Sequence, residues 1–282
     1  MIYDVFKPSK KLEKVIKQYV VISSLEGVEK LLFLPNGCNF IVFNRGVKGY
    51  TKDYKKEGTL PLPTNYSISL KTNKVRYFVL GEENSHHEVP YPLILAELNP
   101  VGYYKLFNKS ARELKSNFEV LQEDIVQKYF KDLYTHSSIE AELEYLNSSF
   151  EEIEASQDSQ DLKIYDVIDK IVNTYRYEVT VDKLAKDFRC SRSTLERDFK
   201  KVVGLTPKNF IFVAKFCKTA LAYIGDDCTF KELEYLYTDN SHLNTVFKKF
   251  LGMSPSAIVK EVMEKNIRIY QVQNLKKTVS NR

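Results

Sequence analysis

The sequence predicts an α+β chain in two halves. The N-terminal half should be short antiparallel strands closing into a small β-barrel or sandwich, with some helix. The C-terminal half should be all-α and hold two helix-turn-helix units. Three observations point there. Apolar runs of strand length, separated by turn signals, fill the chain up to about Pro100. Beyond that point the apolar spacing becomes helical. The unit LERDFKKVVGLTP also recurs as LNTVFKKFLGMSP, an internal repeat.

A chain of 282 residues is long enough for two cores. Its charge is uneven: residues 161–282 carry 22 Lys and Arg against 15 Asp and Glu, while residues 1–160 carry 20 against 22. A basic half beside a mildly acidic one fits a nucleic-acid-binding region joined to something else, although ordinary soluble proteins share such balances. The four cysteines, Cys38, Cys190, Cys217 and Cys228, lack C-x-x-C spacing and read as buried thiols in a reducing compartment. No apolar run reaches membrane-spanning length, and MIYDVFKPSKKLEKVIKQYV has no signal-peptide pattern. The expectation is a bacterial, cytoplasmic protein with no membrane contact.

Leu12, Val15, Ile16, Tyr19 and Val20 suit a helix or an edge strand. LLFL and FIVFN are strand runs broken by the turn signal Pro35-Asn36-Gly37, and a second turn spans Arg45 to Gly49. TNYSISL, VRYFVLG and PLILAEL are further strands. The aromatics Phe33, Phe40, Phe43, Tyr66, Tyr77 and Phe78 either fill the core or line an apolar pocket. Residues 103–154 turn helical. In SIEAELEYLNSSFEEI, the residues Ile139, Leu143, Leu146, Phe150 and Ile153 make one seam. The seam packs either on its own barrel or against a second copy, and a homodimer through it is the expectation. Residues 151–161 are acidic and rich in Ser and Gln, as a linker is. The expected division is therefore 1–155 as the N-terminal domain, 156–163 as linker, 164–265 as the helical domain and 266–282 as a basic tail.

YDVIDKIVNTYRY opens the helical domain. A helix follows with Val181, Leu184, Ala185 and Phe188 on one face, and Ala185 is small where two helices would cross. Arg189-Cys190 forms the corner, and Ser191 caps the second helix. That helix should bury Leu195, Phe199 and Val202 and expose Arg192, Ser193, Glu196, Arg197 and Lys200. Gly204 ends it, and Thr206 with Pro207 starts the third helix. Such a capped helix, apolar behind and basic in front, is what reading a major groove requires. The same helices also occur in many all-α cores.

The continuation is more specific: Ser241, Leu243, Phe247, Lys248, Lys249, Gly252, Ser254 and Pro255 repeat the pattern. Residues 164–262 resemble the double helix-turn-helix domain of AraC/XylS-type bacterial transcription regulators. PNGCNFIVFN resembles the PDGC-x-x-L-I-F-N element of their sensor domains, with Asn36 where Asp is usual. Pro100, Gly102, Leu106, Phe107, Leu114 and Asn117 match a later sensor segment. The resemblance implies a cupin-like barrel for sensing or dimerisation. It also implies promoter duplex DNA and RNA polymerase as partners, and a small-molecule effector.

By that resemblance, Ser193, Glu196 and Arg197 contact bases, with Arg192 nearby. Lys200, Lys201, Lys208, Lys248 and Lys249 are candidates for phosphate contacts. The second unit would expose Asn240, Ser241, His242, Asn244 and Thr245. It departs from the pattern: Leu233-Glu234 replaces the usual I-A, the glycine is missing, and the first helix is about two residues short. It therefore reads as the weaker unit, positioning the protein through the DNA backbone. Two other classes stay open, a cupin-type enzyme with an accessory helical domain and an adaptor that has lost DNA. His86-His87-Glu88 invites a metal, but neighbouring strand residues point to opposite faces. No catalytic or cofactor motif is found, so neither a cofactor nor an enzyme activity is expected.

Overall fold

The computed structural model describes residues 2–24, 30–45, 49–53, 59–61, 63, 66–70, 76–80, 92–113, 118–157, 163–225, 228–235, 237, 240–264 and 267–269. The His86-His87-Glu88 segment lies outside the described residues.

The N-terminal half is two facing sheets. β1 (Ile2–Phe6), β2 (Ile16–Ser24), β4 (Asn39–Phe43), β7 (Ser67–Leu70), β9 (Leu93–Leu98) and β10 (Phe118–Val120) form a six-stranded sheet in the order β1-β2-β9-β4-β7-β10. β3 (Lys30–Phe33), β5 (Gly49–Asp53), β6 (Thr59–Pro61), β8 (Arg76–Leu80) and β11 (Ile267–Ile269) form the other, in the order β11-β3-β8-β5-β6. The chain is thus mixed α+β, as expected. The stretch expected as a helix or an edge strand forms β2, which lies inside its sheet between β1 and β9. That placement fits its burial, since Tyr19, Val20, Val21 and Ile22 are all enclosed. The expected basic tail is corrected at its start, because residues 267–269 pair in parallel with β3.

Five helices belong to the first part of the helical content: α1 (Gly102–Phe107), α2 (Glu123–Ile125) running into a π-helical turn (Val126–Phe130), α3 (Ile139–Ser156) and α4 (Lys163–Asp169), then α5 (Val181–Asp187). α6 (Arg192–Val203), α7 (Pro207–Ile224), α8 (Phe230–Tyr235), α9 (Asn240–Leu251) and α10 (Pro255–Glu264) complete the α-helices among the described residues. α3 carries the apolar seam and shows where it goes. Leu143, Leu146, Phe150 and Ile153 are buried in one core with Tyr19, Ile41, Phe43 and Phe130, and Ile139 packs at its border. Phe150 stacks beside Tyr19 and meets the Phe43 and Phe130 rings edge-on. The dimerisation role expected of these five side chains is corrected accordingly. Their apolar face packs within the chain's own core.

Two further cores cross between the halves. Val101 and Tyr104, from the start of α1, share a core with Leu184, Leu195, Phe199 and Phe210. Leu32 and Leu34 share another with Phe216, Phe247, Phe250 and Ile269. Both helix-turn-helix units therefore rest on the strand-rich half.

The Asn36-Gly37-Cys38 turn makes a third contact. Gly37 has φ +80°, and a Cβ there would come within 2.7 Å of the Phe210 ring. Only glycine allows both the backbone and the approach. Asn36 fixes the turn twice. Its Oδ1 accepts the Cys38 N–H at 3.0 Å, and its Nδ2 donates to Glu97 Oε1 at 3.0 Å. Glu97 is fully buried and also accepts from Lys17 at 2.9 Å and Gln18 at 2.8 Å. Burial, the largest single influence, pulls the Lys17 ammonium down, but the Glu97 charge and hydrogen bond together with the neighbouring Cys38 and Cys217 hold it above its ordinary range. An Asp at position 36 would face this carboxylate with another. Asn brings an N–H instead.

Replacing Phe150 with Ala should cost about 3–5 kcal/mol in urea unfolding. A folded monomer of unchanged stability would return the seam to a dimer interface. Asn36→Asp should cost about 3 kcal/mol at neutral pH by turning a donor into a second buried charge. The new carboxyl would have a folded pKa above its unfolded value of about 3.9, so the deficit should shrink as pH falls towards that value. Denaturation midpoints of the variant and parent across pH check this, and parallel curves would refute the charge conflict.

Candidate nucleic-acid interface

The first unit is built from α5, a corner and α6. Thr180 Oγ1 caps α5 by accepting the Lys183 N–H, and Ser191 Oγ caps α6 by accepting the Thr194 N–H at 3.1 Å. At the corner, Arg189 takes a left-handed φ of +50° and the Cys190 N–H donates to Ala185 O. Tyr175, Lys183 and Lys170 gather on Asp187 at the far end of α5, and they hold its carboxyl well below the usual carboxylate range. This cluster was not read from the sequence. Lys183 and Asp187 are an i,i+4 pair, but no spacing rule brings Lys170 and Tyr175 to the same carboxylate.

α6 has one buried face, with Leu195, Phe199, Val202 and Val203 in the core. Its outer face presents Arg192, Ser193 and Arg197, all exposed, and Glu196, partly exposed. The arginines are engaged with neighbours. Arg192 Nε donates to Glu196 Oε1 at 2.9 Å and its guanidinium lies 3.4 Å from Asp182, while Arg197 Nε donates to Asp198 Oδ1 at 3.0 Å. Exposed pairs of this kind contribute about 0–1 kcal/mol, so a stronger acceptor displaces them readily. The far end of α6 faces the strand-rich half. Ser110 Oγ donates to the Lys200 carbonyl at 3.4 Å, and the Lys201 ammonium lies 5.5 Å from the Tyr104 ring centre. Lys200 is partly buried. Lys208 stands exposed in the first turn of α7, which Thr206 caps with Pro207 at its start.

The second unit repeats the design. Thr229 and Glu232 form a reciprocal capping box at α8: Thr229 N–H donates to Glu232 Oε2 at 2.7 Å, and Glu232 N–H donates to Thr229 Oγ1 at 3.2 Å. The T-x-x-E pattern that signals it stands in the sequence and was passed over. α9 buries Leu243, Val246, Phe247, Phe250 and Leu251, and Gly252 ends it at φ +75° as Gly204 ends α6 at +82°. α8 has six residues against seven in α5.

Asn240, Ser241, His242, Thr245 and Lys248 are exposed along α9. Asn244 is partly buried and donates to the Asn240 carbonyl at 2.9 Å, and the His242 ring meets Tyr237 edge-on. Lys249 is exposed, with its ammonium 4.9 Å from the Phe212 ring centre. The structure thus places the expected residues on the similar helices α6 and α9 and, for Lys208, in the first turn of α7. It turns Lys200, Lys201, Asn244 and Lys249 partly towards the protein itself.

Comparison with known proteins agrees with this geometry. A family model described as a helix-turn-helix domain matches residues 184–261. The HTH-type transcriptional activator RhaS of Yersinia pestis (strain Pestoides F) is 27% identical over 100 residues, covering 35% of this chain and 37% of that protein. RhaS of Yersinia pseudotuberculosis serotype O:1b (strain IP 31758) matches to the same extent. The chain thus spans about a third of the length of the curated relatives it matches. Among solved structures, ToxT from Vibrio cholerae aligns over 92% of this chain and 97% of its own, at 13% identity and a TM-score of 0.44. The AraC-like transcriptional activator CuxR aligns over 71% and 72%, at 12% identity and a TM-score of 0.27. The region from α5 to α10, with its two helix-turn-helix units, matches a helix-turn-helix domain and is similar to the corresponding part of the HTH-type activator RhaS.

Proposed function

We propose that the chain is a sequence-specific DNA-binding transcription regulator. The observation that carries this reading is α6. It is capped, sealed along its apolar face, and holds Arg192, Ser193 and Arg197 outward inside the matched domain. Arg197 would take a guanine edge and Glu196 a cytosine amino group. Exposed Lys208 and Lys248, with Lys201 and Lys249 at the flanks, would meet phosphates. Asn240, Ser241, His242 and Thr245 on α9 would set position more than sequence, since none offers the two-pronged guanine contact of an arginine. The relatives are named activators, which makes RNA polymerase the partner to test. The strand-rich half touches both units, so an effector or partner bound to it would act through those contacts.

In this reading Arg197→Ala should weaken specific binding by about 1–3 kcal/mol and relax preference at one or two base pairs. Thr245→Ala should cost less, evenly across sequences. Binding-site selection on the full chain and both variants separates them, with thermal melting as the control. An unchanged motif in Arg197→Ala with an altered one in Thr245→Ala reverses the roles. Affinity should also fall steeply with salt, with a slope in log K against log salt of roughly −0.9 per phosphate neutralised. Salt-independent binding to duplex DNA, measured by fluorescence anisotropy, would sink the reading.

A further inference from the structure

A groove of about 390 Å³ opens on the N-terminal half, lined among the described residues by side chains between Asn44 and Thr135. Nothing in the DNA-binding reading uses it. Its floor is apolar, made by Tyr66, Leu121, Phe130 and Leu133, of which the last three are buried. Val120, 51% exposed, also lines it. An apolar side chain left in water beside an apolar floor is surface that a ligand could cover.

The rim is polar and carries more positive than negative charge. Arg45 and Lys131 stand on it, both exposed, against the single carboxylate of Glu123. Glu123 Oε1 already accepts from Gln127 Nε2 at 2.7 Å.

Two backbone irregularities meet at this groove. One wall is the π-helical turn Val126–Phe130, a form that recurs at functional sites. At the other end, between the lining residues Leu133 and Thr135, Tyr134 holds a φ of +70°. That conformation is unfavourable for a bulky side chain. Three hydrogen bonds keep it there. The Tyr134 N–H donates to Glu142 Oε2 at 2.8 Å, its hydroxyl donates to the Phe43 carbonyl at 2.5 Å, and its carbonyl accepts from Arg45 at 3.3 Å. The last bond places the Arg45 guanidinium at the rim. Strain held by surrounding structure at a pocket's edge is characteristic of ligand clamps.

We propose that this groove binds a small organic anion. Its apolar body lies on Leu121, Phe130 and Leu133, and its acidic group meets the rim at Arg45 and Lys131. The volume falls at the small end of the range for ligand pockets, about 300–1,000 Å³. The assignment is independent of DNA binding, because no described residue of the C-terminal half lines the groove.

The chain contains no tryptophan, so Gln127→Trp provides a unique reporter at an exposed lining position. Cyclohexanecarboxylate is an optically silent probe with an apolar body and one negative charge, and cyclohexanecarboxamide is its neutral counterpart. The carboxylate should shift the reporter's emission saturably, and the amide should bind about ten-fold more weakly or less. Arg45 also supports Tyr134, so the charge is tested at Lys131. Lys131→Glu in the reporter background should abolish the carboxylate response while leaving the melting temperature unchanged. The assignment is overturned by any of three results: no saturable shift with the carboxylate, equal binding of the amide, or a response that survives Lys131→Glu.

Discussion

The buried carboxylate of Glu97 is the constraint around which the two halves meet. A charge removed from water must be surrounded by donors, and here three side chains supply them: Lys17 and Gln18 from the start of β2, and Asn36 from the turn before β4. Those donors fix two pieces of chain, the start of β2 and the turn, against β9. The turn so held presents Gly37 to Phe210, and Phe210 lies in the core of the first helix-turn-helix unit, 5.6 Å from the Phe199 ring centre. The buried charge in the sheet and the packing of the outward-facing helix are therefore linked through one turn. Cys38 sits beside this group, and burial pushes its thiol up to about 12, so it stays an uncharged filler there.

The cores that cross between the halves give this link its rigidity. The first unit leans on Val101 and Tyr104, the second on Leu32 and Leu34. Each unit thus has its own support on the strand-rich half, from well-separated parts of that half's sequence. A change that moved β3 relative to α1 would act on α6 and α9 separately. Such cores shift between discrete packings more readily than they deform smoothly, because their side chains are close-packed.

Much of this was legible in the sequence, and what was missed has physical causes. Local chemistry read well. Ser191, Gly204, Thr206 and Pro207 stand where their capping roles require, since each signal depends only on near neighbours. The strands at LLFL, FIVFN and LILAEL read well because buried strands are continuous apolar runs. The short strands β1, β5 and β11 did not, because pairing with distant partners makes them strands and their composition does not. The seam on α3 showed its period but not its partner. Periodicity says that a face is buried and is silent on what buries it. Asn36 stood out as a departure from a familiar pattern, yet its reason lay at Glu97, 61 positions away. At the interface, exposure of Arg192 and Arg197 was foreseen. Their pairing with Asp182, Glu196 and Asp198 was not, because rotamers of exposed side chains are not written in spacing.

The parallel pairing of β11 with β3 has a consequence for how the chain is made. β3 is formed by residues 30–33 and its neighbour by residues 267–269, so this ladder joins segments from opposite ends of the described chain. During synthesis the sheet waits with β3 as an open edge until almost everything else has emerged. Open edges invite pairing with other chains, and contacts this distant in sequence are slow to form. The helix-turn-helix region must be threaded out and folded before the edge can be closed. A chain interrupted before residues 267–269 would keep β3 as an open edge and a second unit lacking Ile269 from its core.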